Sequence, residues 1–422
     1  MGALQANAVK AVVYGFAWLR LCALSERNRL RALGRRATVH WHERYEGQPV
    51  LLLALFQKGR LRPDTLNLLK AARDQGYYVI AVNSLRLAVD ARPVGLADRY
   101  VERFNFGRDF GSYQAGWLDL LNEPAFADCP RVVMLNDSVF FSSTRVGPFL
   151  KAMAETGCEV LGATENYEIE YHVGSFCISI ARAVFRAPAF GRYWARYRKS
   201  DVRPAVIRRG EMGLSKVLRR CVSSDDRIAA LYDSARFHEA CRSDPEFLPA
   251  AIAAARTSDL TGWVRLSVGC AVDQYFEAHL RPVVEKGSVS VEAIGSISSP
   301  VREARMSTIE DAVGFLSDVL GRELNADEIA HFREFLASYA TRVFMAGSQI
   351  HQNAAILLHM GLPIVKLDGL YRGMFGIGDV NRILERLGGD DATGFRALIF
   401  RRPFGGDTLV GWQRFAFFRG FI

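Results

Sequence analysis

The stretch VLLLALFQKGRLRPDTLNLLKAARDQGYYVIAVNS, residues 50–84, predicts a strand, a helix and a second strand in immediate succession. Short apolar runs at 50–56 and 77–84 are typical of buried strands. Residues 62–76, between them, are predicted to form a helix with Asp64 as its N-cap. A strand, helix and strand in this order predict two parallel strands of an α/β sheet.

The same alternation continues along the next 140 residues or so of the chain, which extends the predicted sheet. The expected fold is α/β, with a mostly parallel sheet that carries helices on both faces. Such sheets bind ligands beyond the carboxyl ends of their strands, so polar residues just after each strand are the candidates for function. The further strands are predicted at 98–105, 131–137, 159–164 and 174–180, and helices at 110–124, 146–157 and 210–221.

The rest of the chain differs in character, and four segments are predicted. From about residue 225 the strand signal fades and the sequence becomes helical, apart from a loop or hairpin at 287–300. The four segments are 1–46, basic amphipathic N-terminal helices; 47–224, the main α/β domain; 225–345, a helical insertion or subdomain; and 346–422, a completion of the main domain with an aromatic and basic tail.

Composition narrows the class of protein. Of the 422 residues, 50% are hydrophobic and 23% are charged, which excludes a disordered chain. The seven cysteines include no C-x-x-C pair, which argues against a disulfide framework and a structural zinc site and favours a reducing, cytoplasmic location. No apolar run reaches the roughly 18 to 20 residues that a membrane-spanning helix needs.

Positive charge is concentrated at the N-terminus. Residues 1–45 contain eight Arg or Lys and two Glu, so they contribute +6 of the net charge of +9. The apolar stretch AVVYGFAWL at 11–19 precedes the basic residues, which is typical of a helix that lies on an anionic membrane surface. The alternative is a helix docked on the protein's own core. The aromatic and arginine-rich segment 401–422 leaves the same two interpretations open. No nucleic-acid-binding motif is present, so a nucleic-acid partner is not expected.

Several catalytic motifs are missing from the sequence. It contains no G-x-x-x-x-G-K-[ST] loop, no H-E-x-x-H and no G-x-S-x-G elbow. P-loop phosphoryl transfer and α/β-hydrolase chemistry therefore lose support.

Two polar clusters follow consecutive predicted strands, NFGRDFGSY (105–113) and LNDSVFF (135–141). Carboxylate, amide and hydroxyl oxygens together could hold Mg²⁺ or Mn²⁺ on a diphosphate, and an arginine could hold phosphate charge directly. The alternative is that these residues only shape turns after strands. The candidate residues of the two clusters are Asn105, Arg108, Asp109, Asn136, Asp137 and Ser138.

A third cluster is RRGEMGLSKVL at 208–218, where Glu211 is expected at the start of a helix. A carboxylate there is favoured by the helix dipole and could be no more than a cap. If Glu211 faces the same crevice, it is a candidate general base. His172 and His351 are two further candidates, although a lone histidine is more often structural.

The order of these motifs resembles the rhamnan synthesis F family, a family of bacterial polysaccharide glycosyltransferases. The resemblance rests on N-x-G-x-D-F-x-S-Y, then N-D-S after a hydrophobic strand, then G-S-F, then G-E-x-G-L-S. It covers residues from about 48 to 220 and resumes weakly at 350–370, where IHQNAAILLHMGLPIVKLDGL stands. The N-terminal helices, the helical insertion and the aromatic tail fall outside it.

The resemblance implies a GT-A-like fold for 47–224 that binds a nucleotide sugar. In such folds a D-x-D motif binds a metal and the donor diphosphate, and this chain has Asn136-Asp137-Ser138 in its place. The implied metal, Mg or Mn, would be held by Asp137, with His351 as a second candidate ligand. Lys366 or Arg108 would share in neutralising the diphosphate. Glu211 corresponds in motif order to the base that deprotonates the acceptor hydroxyl in an inverting transfer.

The expected function is that of a glycosyltransferase at the cytoplasmic side of the inner membrane. It would transfer rhamnose or another deoxysugar from a nucleotide-diphosphate donor to a lipid-linked polysaccharide such as O-antigen or capsule. Its partners would be the donor, the lipid-linked glycan acceptor and the membrane surface. Two alternatives remain: a sugar-phosphate transferase that uses the same crevice, and a non-catalytic scaffold of polysaccharide assembly.

Overall fold

The structure is a computed structural model. Two compact units divide the chain: residues 1–165, 170–231 and 361–422 form the first, and residues 166–169 and 232–360 form the second. The predicted loop or hairpin at 287–300 lies outside the described residues. The structure describes residues 3–167, 170–254, 268–280, 306, 308–346, 349–372, 375–399 and 409–421.

Eleven strands are found in the described part of the chain. They are β1 Thr38–His42, β2 Val50–Leu55, β3 Tyr78–Asn83, β4 Arg99–Glu102, β5 Arg131–Asn136, β6 Val139–Phe141, β7 Val160–Asn166, β8 His172–Val173, β9 Cys177–Ala181, β10 Ile228–Tyr232 and β11 Ile364–Lys366.

The helices of the described residues outnumber the strands. They are α1 Ala3–Ala32, α2 Pro63–Asp74, α3 Arg108–Asn122, α4 Val146–Ala154, α5 Arg182–Phe185, α6 Pro188–Arg196, α7 Arg203–Val206, α8 Gly213–Cys221, α9 Ser234–Ser243, α10 Phe247–Ala254, α11 Val268–Tyr275, α12 Ile309–Leu320, α13 Ala326–Met345, α14 Gln349–Gln352, α15 Ala354–His359, α16 Leu367–Tyr371, α17 Ile377–Leu387, α18 Gly389–Ile399 and α19 Gly411–Phe418.

A large mixed sheet forms the centre of the first unit, with strand order β1-β4-β3-β2-β5-β9-β7-β10 and β8 beside β7. The four central strands β4, β3, β2 and β5 are parallel. Strand β1 pairs antiparallel with β4, and β9 runs antiparallel to both β5 and β7. The prediction of an α/β sheet is confirmed, and its parallel part lies in the centre.

Both faces of this sheet are covered. Leu52 and Ala54 of β2 belong to a core that includes Trp117 of α3 and Trp194 of α6. Their neighbour Leu53 points to the opposite face because side chains alternate along a strand, and it is also fully buried. Helices α2 and α4 pack on each other, and α2 also packs on β3. Strand β2 is therefore buried on both sides, which is why its sequence is continuously apolar.

Three local predictions are wrong. Asp64 does not cap α2, because its carboxylate bonds instead to Arg62 and to the backbone N–H of Phe141. The N-terminal segment is one helix, α1, followed by strand β1 at the edge of the sheet. A strand also occurs after residue 225, since β10 closes the far end of the sheet.

The second unit is helical in its described residues between 232 and 360. Helices α12 and α13 each begin with a capping box, formed by Thr308 with Asp311 and by Asn325 with Glu328. Phe237 of α9 stacks on a phenylalanine of α13 with ring centroids 4.3 Å apart. These helices are thus held by their caps and by aromatic packing.

None of the described helices combines the length and the apolar character that crossing a bilayer requires.

Candidate functional site

A pocket of about 560 Å³ lies in the first unit, where the parallel strands β2, β3 and β5 end. Parallel strands direct their carboxyl ends to one edge of a sheet, so the residues that follow them meet there. Residues that follow the strands, the start of α3 and α16 all contribute to it. The lining residues are Asn28, Ala54, Leu55, Phe56, Gln57, Arg62, Ser84, Asn105, Arg108, Asp109, Asn136, Asp137, Ser138, Asp201, Leu367, Asp368 and Tyr371.

Asp137, the residue after β5, fixes the loop that follows β2. Its Oδ2 accepts hydrogen bonds from the backbone N–H of Phe56 at 2.8 Å and from Nε2 of Gln57 at 2.9 Å. Burial raises the pKa of Asp137, and the positive charge of Arg62 and these hydrogen bonds oppose that shift. One oxygen of this carboxylate is therefore committed to holding the pocket wall.

Arg62 stabilises the same wall of the pocket. It donates two hydrogen bonds to Asp64, at 3.0 and 2.9 Å, and one each to the carbonyl oxygens of Asp137 and Val139. Burial works against its charge, yet the carboxylates of Asp64 and Asp137 raise the pKa of Arg62 overall. Because its donors are used within the protein, Arg62 is a structural cation that shapes the pocket.

A chain of hydrogen bonds connects the two polar clusters. Asn136 donates from Nδ2 to Asp109 at 3.0 Å, and its Oδ1 accepts from the hydroxyl and the backbone N–H of Ser138. Lys366 donates from Nζ to the Ser138 hydroxyl at 2.7 Å. Lys366 reaches this position because β11 pairs with β6, which places it opposite Val139. The chain thus runs from Asp109 to Lys366.

Glu211 lies at the far end of this chain. Its carboxylate is 3.9 Å from Nε2 of His172, and its side chain is 31% exposed. Removal from water raises the pKa of Glu211, Asp109 adds to the shift, and Lys366 opposes it. Burial likewise lowers the pKa of Lys366, with Glu211 and Asp109 opposing. A carboxylate with a raised pKa beside a lysine with a lowered pKa is characteristic of functional sites.

The predicted helix start at Glu211 is wrong. The helix runs from α7 through a π-helical turn, Ile207–Met212, into α8, so Glu211 lies in its middle. Gly210 permits a close approach, because a Cβ there would lie 2.8 Å from the ring of Phe110. Single π-helical turns are frequent at functional sites. The π-turn, and not a helix N-terminus, therefore positions Glu211.

His172 is oriented toward Glu211 by the backbone. Its Nδ1 lies 2.8 Å from the carbonyl oxygen of Glu170, and a carbonyl can only accept, so Nδ1 carries a hydrogen. The other ring nitrogen, Nε2, therefore faces the Glu211 carboxylate.

Arg108, the first residue of α3, has a strained backbone conformation. Arg108 has φ 53° and follows Gly107 at φ 90°. Arg103 holds the loop through the carbonyl oxygens of Phe104, Phe106 and Arg108. A left-handed residue other than glycine costs roughly 1 kcal/mol or more and persists only where its surroundings enforce it. The Arg108 guanidinium lies 3.5 Å from the carbonyl oxygen of Asp201, a long contact, and Arg108 lines the pocket.

Asp201 connects three elements at the pocket rim. It accepts hydrogen bonds from the backbone N–H of Gly107 at 2.8 Å and from Nδ2 of Asn28 at 2.9 Å. Its own backbone N–H donates to the Ser25 hydroxyl at 3.0 Å. Helix α1 is therefore part of the pocket wall through Asn28.

The structure brings most of the sequence candidates together. Asn105, Arg108, Asp109, Asn136, Asp137 and Ser138 all line the pocket. Glu211 and Lys366 join them through the hydrogen bonds and charges described above. His351 lies on α14 in the second unit, and its predicted role as a metal ligand stays a prediction. Sequence reasoning missed the pocket-lining residues Asn28, Gln57, Arg62, Asp201, Asp368 and Tyr371.

The oxygen atoms of Asp137 and Asn136 are the first candidates to hold the implied Mg or Mn. Asp137 is bonded through Oδ2 to two N–H donors, and Oδ1 of Asn136 accepts from Ser138, so these oxygens are already committed. Across the described residues, no three His, Cys, Asp or Glu side chains are grouped as a metal ion requires. The described residues of the pocket therefore offer no ready cluster of three such ligands, and the implied Mg or Mn stays a prediction.

Comparison with known proteins gives limited information. No family model matches the chain, and the resemblance to the rhamnan synthesis F family stays a prediction. Two curated proteins of Vibrio anguillarum, both named virulence protein VirA, are 32% identical to this chain over 108 residues. The match covers 25% of this chain, and the chain spans about a third of the length of those relatives.

The packing of α3 on the pocket loop gives a testable expectation. A Cβ at Gly111 would lie 2.5 Å from the carbonyl oxygen of Phe106. We expect Gly111→Ala to displace the loop, to lower the free energy of unfolding by about 1–3 kcal/mol and to weaken ligand binding in the pocket. Gly191→Ala in α6 is the control, because no atom lies within 4 Å of its Cβ position, and it should stabilise by up to about 1 kcal/mol. Urea unfolding of both variants checks this, and equal stabilities would contradict it.

Proposed function

We propose that the first unit is a glycosyltransferase that binds a nucleoside-diphosphate sugar in the pocket. The observation that carries the proposal is the partly buried hydrogen-bond network of Asp109, Asn136, Ser138 and Lys366 at the ends of the parallel strands, with Glu211 beside it. A doubly charged diphosphate needs fixed positive charge, and a transfer to a hydroxyl needs a base. The site offers both.

The diphosphate would be held by cationic side chains. Arg108 lines the pocket, and its guanidinium can bond two phosphate oxygens at once. Lys366 reaches the same edge through Ser138. Their charges would also stabilise the leaving diphosphate as the bond from the anomeric carbon to the phosphate oxygen breaks. In this proposal the cations perform the neutralisation for which GT-A-like enzymes use a metal.

Glu211 would act as the base on the acceptor. The acceptor hydroxyl oxygen attacks the anomeric carbon, its proton passes to the Glu211 carboxylate, and the nucleoside diphosphate leaves with the electron pair. The raised pKa of Glu211 makes it a better base than an ordinary glutamate, and its partial exposure leaves room for a substrate hydroxyl. We further propose a deoxysugar such as rhamnose as the sugar and a lipid-linked polysaccharide as the acceptor, on the resemblance described above.

A donor screen tests this function. The protein is incubated with UDP-, GDP-, dTDP- and CMP-sugars, with EDTA or with Mg²⁺ or Mn²⁺, and thermal shift and nucleotide release are measured. We expect one nucleotide class to stabilise the protein, and to do so equally in EDTA. Transfer of sugar-1-phosphate would favour the sugar-phosphate transferase, and binding of no nucleotide would contradict the proposal and favour a scaffold.

Arg108 provides the matched variant for that screen. We expect Arg108→Gln to weaken nucleotide binding by about 10- to 100-fold, because one charge-assisted hydrogen bond is worth about 1.5–3 kcal/mol. Arg60→Gln is the control, since Arg60 is an exposed cation paired with Asp90 and does not line the pocket. Titration calorimetry with the nucleotide found in the screen measures both. Equal affinities of the two variants would remove Arg108 from the site.

A further inference from the structure

Helix α1 is apolar on two opposite faces, and only one of them is covered by the protein. On the covered face, Ala17 and Leu21 are buried against Phe421, near the C-terminal end of α19. The same face carries Ser25 and Asn28, which bond to Ser200 and Asp201. This face therefore docks α1 onto the first unit, as one of the two sequence interpretations expected.

The opposite face of α1 exposes large apolar side chains. Val12, Phe16 and Leu19 are 72%, 56% and 69% exposed, and Leu30 is 59% exposed. At 3.6 residues per turn, these positions fall within an arc of about 100° whose centre is about 180° from the docked face. Exposed apolar residues are ordinary when scattered, but Val12, Phe16 and Leu19 lie together on two turns of one face, and Leu30 follows on the same side three turns later. Such an apolar stripe indicates a binding surface.

Positive charge borders this apolar stripe. Arg27 and Arg31 are exposed and lie along one edge of it, at the next positions around the helix. The one acidic residue within the stripe's arc, Glu26, is paired with Arg29 at 2.5 Å. Large apolar side chains with arginines beside them match the chemistry of an anionic membrane surface. There, acyl chains lie below negatively charged headgroups.

We propose that this face of α1, defined by Val12, Phe16, Leu19 and Leu30 with Arg27 and Arg31 at its edge, docks on an anionic membrane surface. The helix would lie in the plane of the interface, with the apolar side chains among the acyl chains and the arginines at the lipid phosphates. A second copy of the chain fits less well, since face-to-face packing of two such helices would bring like charges together.

Docking through α1 would also place the pocket beside the membrane. Asn28 of the same helix lines the pocket, and Asp201 ties it to the loop that carries Arg108. This consequence rests on the proposed function, because it would bring a lipid-linked acceptor to the donor site. The docking itself does not depend on it and is measured without any nucleotide.

Vesicle binding tests the docking. The full chain is sedimented with vesicles of phosphatidylcholine containing about a third phosphatidylglycerol, and with pure phosphatidylcholine. We expect clear binding to the anionic vesicles and at least tenfold weaker binding to the neutral ones, because each arginine near an anionic surface contributes about 1 kcal/mol. Failure of the unaltered protein to bind anionic vesicles would overturn the proposal.

Matched variants distinguish binding through this surface from nonspecific binding to vesicles. Phe16→Glu combined with Leu19→Glu should reduce vesicle binding at least tenfold, and Arg27→Glu combined with Arg31→Glu should remove the preference for anionic lipid. The control is Val89→Glu combined with Val94→Glu, two valines that are 75% and 74% exposed in a loop of the same unit. Circular dichroism checks that the variants fold. Equal binding by control and α1 variants would overturn the proposal, as would a dimer that the Phe16 and Leu19 changes convert to monomer.

Discussion

Glu211→Gln should lower the rate of sugar transfer by about 10²–10⁴-fold while nucleotide affinity stays within a factor of about three. Glutamine has nearly the shape of glutamate, so it can keep the packing of the π-helical turn, but it cannot accept the proton of the acceptor hydroxyl. The measurement is nucleotide release in the presence of acceptor, together with calorimetry of the donor. The loss should therefore be in the turnover number and not in donor binding.

The control for this variant is Glu123→Gln. Glu123 lies just after α3, at the end away from the pocket, and pairs with Arg99 at 2.6 Å near the surface. Glu123→Gln should transfer sugar at the same rate as the unaltered protein. If Glu211→Gln also transfers at the full rate, the acceptor proton goes elsewhere and Glu211 is a structural partner of Lys366 and His172.

The pH dependence of the transfer rate should also identify Glu211 as the base. A base works in its deprotonated form, so the rate rises as pH increases through the pKa of the base. Partial burial and the neighbouring Asp109 raise the pKa of Glu211 above the ordinary range. The acidic limb of the profile should therefore lie above the pH at which an ordinary glutamate titrates, and it should disappear in Glu211→Gln.

The sequence predicted the pocket because its signals are local. Strands were predicted at the positions of β2, β3, β4 and β5, and polar residues directly after such strands are expected to meet at one edge of the sheet. Asp109, which follows β4, and Asn136 and Asp137, at the end of β5, were therefore expected to lie together. Their roles in binding stay predictions, as does the GT-A-like arrangement of the fold.

What the sequence did not predict depends on contacts between distant residues. The family resemblance implied Lys366 as a candidate, but its hydrogen bond to Ser138, 228 positions away, comes from a short antiparallel pairing with no sequence signature. Asp64 has the residue type of an N-cap, yet tertiary contacts with Arg62 take its carboxylate. Gly210 resembled a helix start, but its purpose is close packing on Phe110. In each case a tertiary contact outweighed the local preference.

The N-terminal helix shows a different limit of sequence reasoning. An amphipathic helix is recognised by one apolar face opposite a polar one. In α1 both Leu21 and Leu19 are apolar, although Leu21 faces the core and Leu19 faces outward. When two opposite faces are both apolar, the helical periodicity of the sequence does not single out one apolar face. The sequence therefore left docking on the core and binding to a membrane as alternatives. The structure shows core docking on one face, and the other face carries the membrane proposal.

Asp137→Ala should lower the free energy of unfolding of the first unit by about 2–4 kcal/mol, because each buried donor left without its acceptor costs about 1–3 kcal/mol. The N–H groups of Phe56 and Gln57 would lose their acceptor, and Arg62 would lose a compensating charge. Urea unfolding followed by the fluorescence of the buried Trp117 and Trp194 measures the loss. Asp128→Ala is the control, because its contact with Arg182 is exposed and should contribute less than about 1 kcal/mol.

Asp137→Asn separates the structural role of this residue from a role of its charge. The amide oxygen of asparagine can still accept from Phe56 and Gln57, so most of the stability should return, to within about 1.5 kcal/mol of the unaltered protein. Nucleotide binding that is lost in Asp137→Ala and kept in Asp137→Asn would show that the residue shapes the pocket wall. Loss of binding in a folded Asp137→Asn would show that the negative charge itself is needed, and only a bound cation would explain such a need in a pocket that receives a diphosphate. We expect the first result, because Oδ2 of Asp137 holds the pocket wall through two N–H donors that an amide oxygen can also bind.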